Sequence, residues 1–490
     1  MVRLSKSRQN EEVDETLSTL QRSMRKRDLI IEFLQLIAGF AKKAAPRFEL
    51  GIKDLQSSAL PLGHAALGNS LTYTTHTISL RTSKLLVLSN GHGEDLIALR
   101  IIESLHNICP DLEIDVFPLV GEGKCFLDSS SASWLNLVGP RLTLPSGGFS
   151  NQSLKGLFSD LKAGLFTLVF QQWKYLRKLR SQNTLILAVG DLLPLFFAWA
   201  SGAQYIFIGT PKSDYSWKSG PGRSVSDFYH SLKGSEWDPW EVLLMQSQRC
   251  GFVAVRDHLT ARGLKKKKVL AIAPGNPMMD DFESFSIPLS LLQKRRLLLL
   301  CGSRMPEAKR NFIRLLSSIC LCTSQKPFSI LVPLGAEPLF IDLQEALLEN
   351  RFKKISFHDE LIGADEIWSR GDNFVFLGRG RFTRWARWAE VGIANAGTAT
   401  EQLVGLGVPV LSLPGKGPQF KSSFAIRQSR LLGGSVVPCK TSESLAERLN
   451  FLLNEESVRQ SLGKIGSNRM GPAGGSIALA RLISQFVELN

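Results

Sequence analysis

The amino-acid sequence predicts an α/β protein with two parallel β-sheets, each covered by helices on both faces. Two observations lead to this prediction. From Lys84 onward, short apolar segments alternate with longer amphipathic ones, which is typical of parallel strands joined by helical crossovers. The alternation breaks off around Ile287–Lys294 and then starts again. The restart indicates two Rossmann-like domains of roughly 200 residues each, with a cleft between them. Ligands of such sheets bind beyond the carboxyl ends of the strands, so we expect the functional residues around this cleft.

Composition narrows the class of protein. The chain has 490 residues, with 44% hydrophobic and 21% charged side chains, as in ordinary soluble proteins. A net charge of +15 suits nucleotides, anionic lipid surfaces or nucleic acid without choosing among them. The seven cysteines are scattered and form no C-x-x-C pair. They indicate neither a disulfide framework nor a zinc site, and favour a reducing compartment.

Residues 1–84 are predicted to be an N-terminal extension, partly helical or disordered. We expect no secretory signal at the start of the chain, and Glu11, Glu12, Asp14 and Glu15 argue against a transit peptide. We therefore expect a protein that is not secreted, on the cytoplasmic or plastid-stromal side.

The first domain is predicted over residues 85–285. Its elements in order are the strand KLLVLSN, the helix Glu94–His106, the strand EIDVFPLV, the helix Leu154–Arg180 and the strands TLILAVGD, YIFIGTP, FVAVRD and VLAIAPGNP. Leu185–Ala203 is long and apolar enough to resemble a membrane span. Gly190, Asp191 and Pro194 interrupt it, however, and a buried strand–helix unit of a parallel sheet is equally apolar. We favour the strand–helix interpretation.

The second domain is predicted over residues 286–474. Its elements are the strand RRLLLLCGSR, the helix Glu307–Cys322, the strand FSILVPLG, the helix Leu339–Leu348, the strand NFVFLG and the unit at 391–420.

Residues 391–420, VGIANAGTATEQLVGLGVPVLSLPGKGPQF, carry the strongest functional signal. They predict a buried strand at Val391–Ala394, a tight turn, a helix from Thr398 and a second strand at Val408–Leu413. Small residues let a ligand reach the backbone, and the free N–H groups of the helix attract an anion such as a diphosphate. Glu401, one turn into the helix, can accept hydrogen bonds from a ribose diol. The predicted nucleotide-sugar contacts here are Gly397, Thr398, Ala399 and Glu401.

The same segment also has a structural interpretation. Thr398 and Glu401 fit a capping box, in which each side chain satisfies a backbone donor at the helix start. Gly397 would then serve only the turn. The two roles can coexist.

In the first domain, Asn90-Gly91-His92-Gly93-Glu94-Asp95 follows the first strand. Gly91 and Gly93 let backbone approach an acceptor, while His92 and Glu94 can handle a hydroxyl proton; a plain tight turn is the alternative. Asp191 ends the most apolar strand, where it is either a general base or the cap of the next helix.

Three further segments are candidates for donor contacts. Ser303 and Arg304 follow the first strand of the second domain, where a guanidinium can neutralise a departing diphosphate; a surface arginine is the alternative. Phe382 belongs to a Gly-Arg-Gly-Arg-Phe turn that either presents backbone to the nucleotide base or is solvated. Gln419 lies in the Gly-rich loop after Val408–Leu413.

Two other features suggest contact with a hydrophobic acceptor. Gly156–Leu179 is apolar and turns basic toward its end, and Lys265–Lys268 is a run of four lysines. Together they predict docking of the first domain on an anionic membrane, although a run of charges is often simply solvated.

Taken together, these motifs resemble lipid-A-disaccharide synthase and, more closely, the lipid-A-disaccharide-synthase-related proteins of cyanobacteria and plants. LSNGHGEDLIA, GNPMMDDF, LLLLCGSRMPEAKRNF and NAGTATEQLVGLGVPVLSLPGKGPQF carry the resemblance over residues 84–490. The resemblance implies the two-domain GT-B fold, with the acceptor on the first domain and the nucleotide sugar on the second. It also implies a C-terminal helix at 475–490 that returns to the first domain.

The resemblance implies an inverting glycosyltransferase, a hexosyltransferase that needs no metal or other cofactor and acts at a membrane. Arg304 and Glu401 then take the diphosphate and ribose contacts, and Asp191 the acidic position at its strand end. The acceptor side departs from the family, because Leu192, Leu193 and Pro194 stand where the synthase carries a second acid after the first. We therefore expect a related sugar transfer rather than lipid-A synthesis.

The predicted function is transfer of a sugar, from a UDP-sugar substrate, to a lipid or another hydrophobic acceptor. No nucleic-acid partner is expected, and the sequence leaves the oligomeric state open. Two alternatives remain: a UDP-sugar 2-epimerase of the same fold, which needs no acceptor, and a non-catalytic nucleotide-sugar-binding or membrane scaffold.

Overall fold

A computed structural model describes residues 84–127, 133–141, 165–178, 184–220, 225–280, 282, 284–356, 360–415 and 421–489. The expected extension therefore lies outside the described residues, apart from Lys84. So do the first part of the predicted helix Leu154–Arg180 and the loop that contains Gln419.

The first sheet has seven parallel strands in the order β3-β2-β1-β4-β5-β6-β7. They are β1 (Lys84–Ser89), β2 (Glu113–Pro118), β3 (Leu135–Leu137), β4 (Thr184–Gly190), β5 (Tyr205–Gly209), β6 (Cys250–Val255) and β7 (Ala271–Ile272). The helices of this region are α1 (His92–Ile108), α2 (Lys124–Leu127), α3 (Leu165–Lys178), α4 (Leu192–Ser201), α5 (Tyr215–Lys218), α6 (Val225–Lys233), α7 (Pro239–Met245) and α8 (His258–Lys266). Leu185–Ala203 is thus a strand and a helix, as favoured from the sequence.

The second sheet has eight strands in the order β10-β11-β12-β9-β8-β13-β14-β15. They are β8 (Arg295–Leu300), β9 (Phe328–Leu334), β10 (Lys353–Ile355), β11 (Glu366–Arg370), β12 (Asn373–Arg379), β13 (Val391–Ala394), β14 (Val410–Ser412) and β15 (Val436–Pro438). A short helix α9 (Leu289–Leu292) precedes them. The other helices are α10 (Glu307–Cys320), α11 (Phe340–Glu349), α12 (Phe382–Ala386), α13 (Thr398–Gly405), α14 (Ser422–Leu431), α15 (Ser442–Asn454), α16 (Glu456–Met470) and α17 (Gly475–Leu489).

Both sheets are packed on two faces, which is why their strands read as continuous apolar runs. In β1, Leu86 and Leu88 pack into the core beneath α3, α4, α7 and α8, while Leu85 and Val87 pack beneath α1 and α17. Alternate residues of a strand point to opposite faces, so both sets must be apolar. The prediction of two Rossmann-like α/β domains is confirmed.

The cores of the two domains are continuous. A 3₁₀ turn at Pro277–Met279 carries Met278 and Met279 into the same buried cluster as Leu298 and Leu300 of β8. Gly405 of α13 makes room for this turn, because a Cβ there would lie 2.4 Å from the sulfur of Met279. The C-terminal helix α17 packs against α1 of the first sheet. Among the described residues, no helix combines the length and the apolar character needed to cross a membrane.

Some elements differ from those expected. The strands β10 and β11 were not predicted, and both run antiparallel to their neighbours at the edge of the second sheet. Their segments, KKI and EIWSR, carry charges that hide a strand pattern. The lysine run begins at the end of a helix: Lys265 and Lys266 end α8. Lys265, Lys266 and Lys268 are exposed, and Lys267 Nζ donates to the carbonyl of Lys233 at 2.5 Å.

Candidate active site

Each sheet has one point where the strand order reverses direction, and ligands of such sheets bind beyond the carboxyl ends of the strands there. In the first sheet this point lies between β1 and β4, which are followed by the Asn90–Asp95 turn and by Asp191. In the second sheet it lies between β8 and β13, which are followed by Gly302-Ser303-Arg304 and Asn395-Ala396-Gly397. Topology thus selects the same four segments as the sequence motifs.

Glu94 is a carboxyl group of the first domain whose pKa is strongly raised. Burial raises the pKa of its carboxyl group to about 7, and the nearby charges of Asp191 and Asp95 act in the same direction. The hydroxyl of Thr210 lies 3.4 Å from Glu94 Oε1 and opposes the shift. A carboxyl group with a pKa near neutrality can both take up and release a proton at physiological pH. His92 begins α1, and its side chain lies outside the described part of the structure.

Asp191 caps α4, as its structural interpretation expected. Its Oδ1 accepts hydrogen bonds from the backbone N–H of Leu193 at 3.0 Å and from Asn90 Nδ2 at 2.6 Å. Gly190 makes the second bond possible, because its φ is +138° and a Cβ there would lie 2.0 Å from Asn90 Oδ1. The cap fixes the Asp191 carboxylate, whose charge contributes to the raised pKa of Glu94.

In the second domain, Gly302 turns the chain with a φ of +90°. Ser303 is exposed and Arg304 is partly buried, and burial lowers the pKa of the Arg304 guanidinium. The carbonyl of Arg304 accepts the N–H of Ala308 at 2.8 Å, which ties the turn to the start of α10.

The turn after β13 is held by the buried side chain of Asn395. Its Nδ2 donates to the carbonyl of Leu413 at 2.8 Å and to Asn311 Oδ1 at 3.1 Å. Its Oδ1 accepts from the N–H of Leu413 at 3.1 Å and from the hydroxyl of Ser412 at 3.2 Å. These four hydrogen bonds fix the start of α13 relative to β14 and α10.

The capping-box interpretation of α13 is wrong. Gly397 is the N-cap residue, and no side chain caps this helix end. The carboxylate of Glu401 instead accepts a hydrogen bond from Arg256 Nη2 of the first domain at 2.7 Å. Thr398 is exposed and Ala399 partly buried, and the first N–H groups of a helix lack intrahelical partners.

The two domains meet at this helix start. A Cβ added to Gly93 would lie 3.8 Å from the hydroxyl oxygen of Thr398, so the glycine turn of the first domain closely approaches the predicted anion site of the second. The side chain of Gln428 on α14 lies 3.3 Å from the carbonyls of both Ala396 and Gly397. The base candidate Glu94 and the helix N-terminus therefore border one cleft.

The remaining predicted site residues either make other contacts or lie outside the described residues. Phe382 begins α12, and its ring packs edge-on against Phe282 at 6.0 Å between ring centroids. Arg379 Nη1 is bonded to the carbonyls of Gly335 and Ala336. Gln419 lies outside the described residues, and Gly91, with a φ of +144°, caps α1.

Sequence reasoning did not assign roles to Asn90, Thr210, Arg256 and Asn395. All four stand directly after an apolar strand: β1, β5, β6 and β13. The residue that follows each strand of a parallel sheet is therefore the signal that identifies them. Within the described residues, no group of three or more His, Cys, Asp or Glu side chains is arranged to hold a metal ion.

Comparison with known proteins gives similarity in structure alone. No protein-family model and no curated protein sequence matches the chain. Among solved structures, a putative UDP-N-acetylglucosamine 2-epimerase from Listeria monocytogenes is 12% identical, with a TM-score of 0.49, covering 83% of this chain and 96% of its own.

Two further solved structures are similar to the same extent. A ugt transferase from Siraitia grosvenorii in complex with UDP is 11% identical, with a TM-score of 0.48, covering 83% of this chain and 99% of its own. A UDP-GlcNAc 2-epimerase from Neisseria meningitidis bound to UDP-GlcNAc is 15% identical, with a TM-score of 0.47, covering 83% and 100%. The strand order of the two sheets defines the fold.

Proposed function

We propose that this chain is a nucleotide-sugar-dependent glycosyltransferase of the GT-B type that takes a UDP-sugar and modifies a lipid or another hydrophobic acceptor. The observation that carries the proposal is the close approach of Gly93 to Thr398, where an added Cβ would lie 3.8 Å from the Thr398 hydroxyl oxygen. It brings a carboxyl group with a pKa of about 7, that of Glu94, to the N-terminus of α13. A proton acceptor for a hydroxyl and an electrostatic site for a diphosphate thus face the same space.

In the proposed reaction, Glu94 takes the proton of the acceptor hydroxyl. The acceptor oxygen attacks the anomeric carbon in line, and the bond from that carbon to the diphosphate oxygen breaks. Arg304 and the N-terminus of α13 stabilise the negative charge of the departing nucleoside diphosphate. Asp191 stays beside Glu94 as a fixed charge, and Glu401 holds the ribose diol.

A hydrophobic acceptor is supported by the outer surface of the first domain. Helices α3, α4, α6 and α7 expose large apolar side chains that their sheet does not cover; we call them the aromatic face: Phe170, Leu192, Phe196, Trp199, Phe228, Leu232, Trp240 and Leu243. Large apolar side chains exposed on several helices are candidates for contact with a membrane or a partner. We propose that this face rests on a lipid surface that presents the acceptor.

The test is turnover of UDP-sugars with and without membrane lipid extract. UDP release and a glycosylated lipid that both require the extract would support the transferase. Conversion of a UDP-sugar to its C2 epimer without extract would replace it with the 2-epimerase. Nucleotide-sugar binding without turnover in either assay would favour a non-catalytic scaffold.

A further inference from the structure

Arg256 belongs to the first domain but bonds to a candidate donor residue of the second. It follows β6, and its Nη2 lies 2.7 Å from Glu401 Oε2 and 3.3 Å from the sulfur of Met470. The side chains of Arg256 and Glu401 are 7% and 16% exposed. This ion pair is therefore mostly shielded from water. Removing either partner should leave the other as a largely buried charge without its partner, which is energetically costly.

The carboxylate of Glu401 keeps capacity for a ligand. A carboxylate offers about four lone-pair positions on its two oxygens. Within the described part of the chain, Arg256 provides the one side-chain hydrogen bond that this carboxylate accepts. A cis-diol can therefore bind to the remaining positions while the guanidinium holds the carboxylate in place.

The hydrogen bonds at the start of α13 do not orient the carboxylate of Glu401. Gly397, the N-cap residue of α13, has no side chain to cap the helix, and Thr400 directs its hydroxyl to the carbonyl of Ala396 at 2.8 Å. Glu401 sits in the first turn of α13, and among the described residues its carboxylate is hydrogen-bonded to Arg256 rather than to a side chain of its own helix. Its orientation comes from the other domain.

We infer that Arg256 is a positioning residue of the donor site: it crosses the cleft and orients Glu401 for the ribose diol, so that the nucleoside site is complete only when both domains contribute. This inference rests on the function proposed above. Arg256 acts through Glu401 and itself touches neither sugar nor diphosphate.

The experiment compares binding of UDP and 2′-deoxy-UDP by calorimetry, because the second probe lacks one hydroxyl of the diol. The variants are Arg256→Met, which keeps the length of the side chain, and Arg256→Lys, which keeps the charge. Arg262→Met on α8 is the control, since Arg262 is an exposed arginine of the same domain. Thermal melting of each full-length variant verifies folding.

We expect Arg256→Met to weaken UDP binding by about ten- to a hundredfold, the usual effect of losing a hydrogen bond to a charged group. Binding of 2′-deoxy-UDP should change much less, Arg256→Lys should recover part of the loss, and Arg262→Met should match the wild type. Adding Glu401→Gln to Arg256→Met should cost little more than either change alone.

Wild-type binding of UDP that is unaffected by Arg256→Met would overturn this inference and leave the proposed function intact. Equal losses for both nucleotides would show a purely structural role, and tighter UDP binding would show that Arg256 competes with the nucleotide; either result overturns the inference. A wild-type protein that binds neither probe would overturn the proposed function and this inference together.

Discussion

Glu94 is the candidate site residue whose pKa the fold raises to near neutrality. Its pKa rises from 4.5 to about 7 in the fold, chiefly through burial. A carboxyl group with a raised pKa contributes its full stability below pH 4.5 and loses it as the pH rises through 7. The loss amounts to at most about 3 kcal/mol, since one pKa unit corresponds to about 1.4 kcal/mol.

We therefore predict that Glu94→Gln stabilises the protein relative to the wild type at pH 8.5 but not at pH 4.5. Glutamine stays neutral, so the variant avoids the cost of a buried charge. Chemical unfolding of both proteins at the two pH values measures the difference. If Glu94→Gln changes the free energy of unfolding by the same amount at pH 4.5 and at pH 8.5, the fold does not raise the pKa of Glu94.

The same residue should control the pH dependence of turnover. As a general base Glu94 must be deprotonated, so the rate should rise with pH through an apparent pKa near 7. Glu94→Gln should remove this acid limb and lower kcat by about 10²- to 10⁴-fold. An acid limb that persists in the variant would mean that another group takes the proton.

Arg304 should matter more for turnover than for folding. It lies in a turn and is only partly buried, so Arg304→Ala should change the free energy of unfolding by less than about 1 kcal/mol. Loss of charge stabilisation at a leaving diphosphate should reduce kcat by about 10²-fold or more. The melting temperature and the turnover rate of Arg304→Ala should be measured on the same preparation. A large drop in melting temperature with intact activity would show that Arg304 serves folding rather than catalysis.

At the scale of elements, the sequence predicts best where a local pattern is complete. The strand at Val391–Ala394 and the helix from Thr398 match β13 and the start of α13, because apolar β-branched residues, a small-residue turn and a helix start follow one another. The partner of Glu401 was not predictable in this way. Arg256 lies 145 residues away along the chain, and only the folded arrangement of both sheets brings it there.

Strand β10 is an element whose local sequence pattern does not indicate a strand. Lys353 and Lys354 are exposed at a sheet edge, where charges discourage pairing with other chains. The same charges remove the apolar run by which a strand is recognised. The sequence therefore predicts central strands better than edges.

Asn395 is the element-scale support of the candidate donor site. Asn395→Ala removes four hydrogen bonds and takes away the acceptor of the buried N–H of Leu413, which should cost at least about 2 kcal/mol. UDP binding should weaken as well, because the start of α13 loses its anchor. Asn454→Ala, at an exposed helix end, is the matched control and should change stability by no more than about 0.5 kcal/mol.

Urea unfolding and UDP titration of both asparagine variants provide the measurement. An Asn395→Ala protein as stable as Asn454→Ala would show that the turn after β13 is held by other contacts.

At the scale of the whole molecule, α14 ties the two domains together beside the cleft. Arg427 Nη2 lies 2.5 Å from Glu236 Oε1, and Arg430 Nη1 lies 2.8 and 2.9 Å from the two oxygens of Asp227. Gln428 of the same helix contacts the turn before α13. One helix thus connects the candidate donor turn to α6, which also carries part of the aromatic face.

The aromatic face yields the last prediction. Its most exposed side chains are Phe228, Leu232 and Leu243, at 75%, 80% and 68%. Inserting such side chains into a bilayer is worth about 1–3 kcal/mol each, and each nearby lysine adds about 1 kcal/mol on an anionic surface. We expect the protein to sediment with anionic vesicles, and salt to weaken binding because charges are screened within about 8–10 Å.

The triple change Phe228→Ser, Leu232→Ser and Leu243→Ser should abolish most of this sedimentation without loss of folding, since none of these side chains belongs to a core. The matched control replaces three equally exposed apolar residues elsewhere: Leu289→Ser, Ile341→Ser and Leu361→Ser. A further variant replaces the exposed Lys265, Lys266 and Lys268 with Gln and keeps Lys267, which is hydrogen-bonded. It measures how much of the vesicle binding is electrostatic. If the first triple variant sediments as well as the control, the lipid surface lies elsewhere; if no protein sediments, the acceptor must reach the cleft from solution.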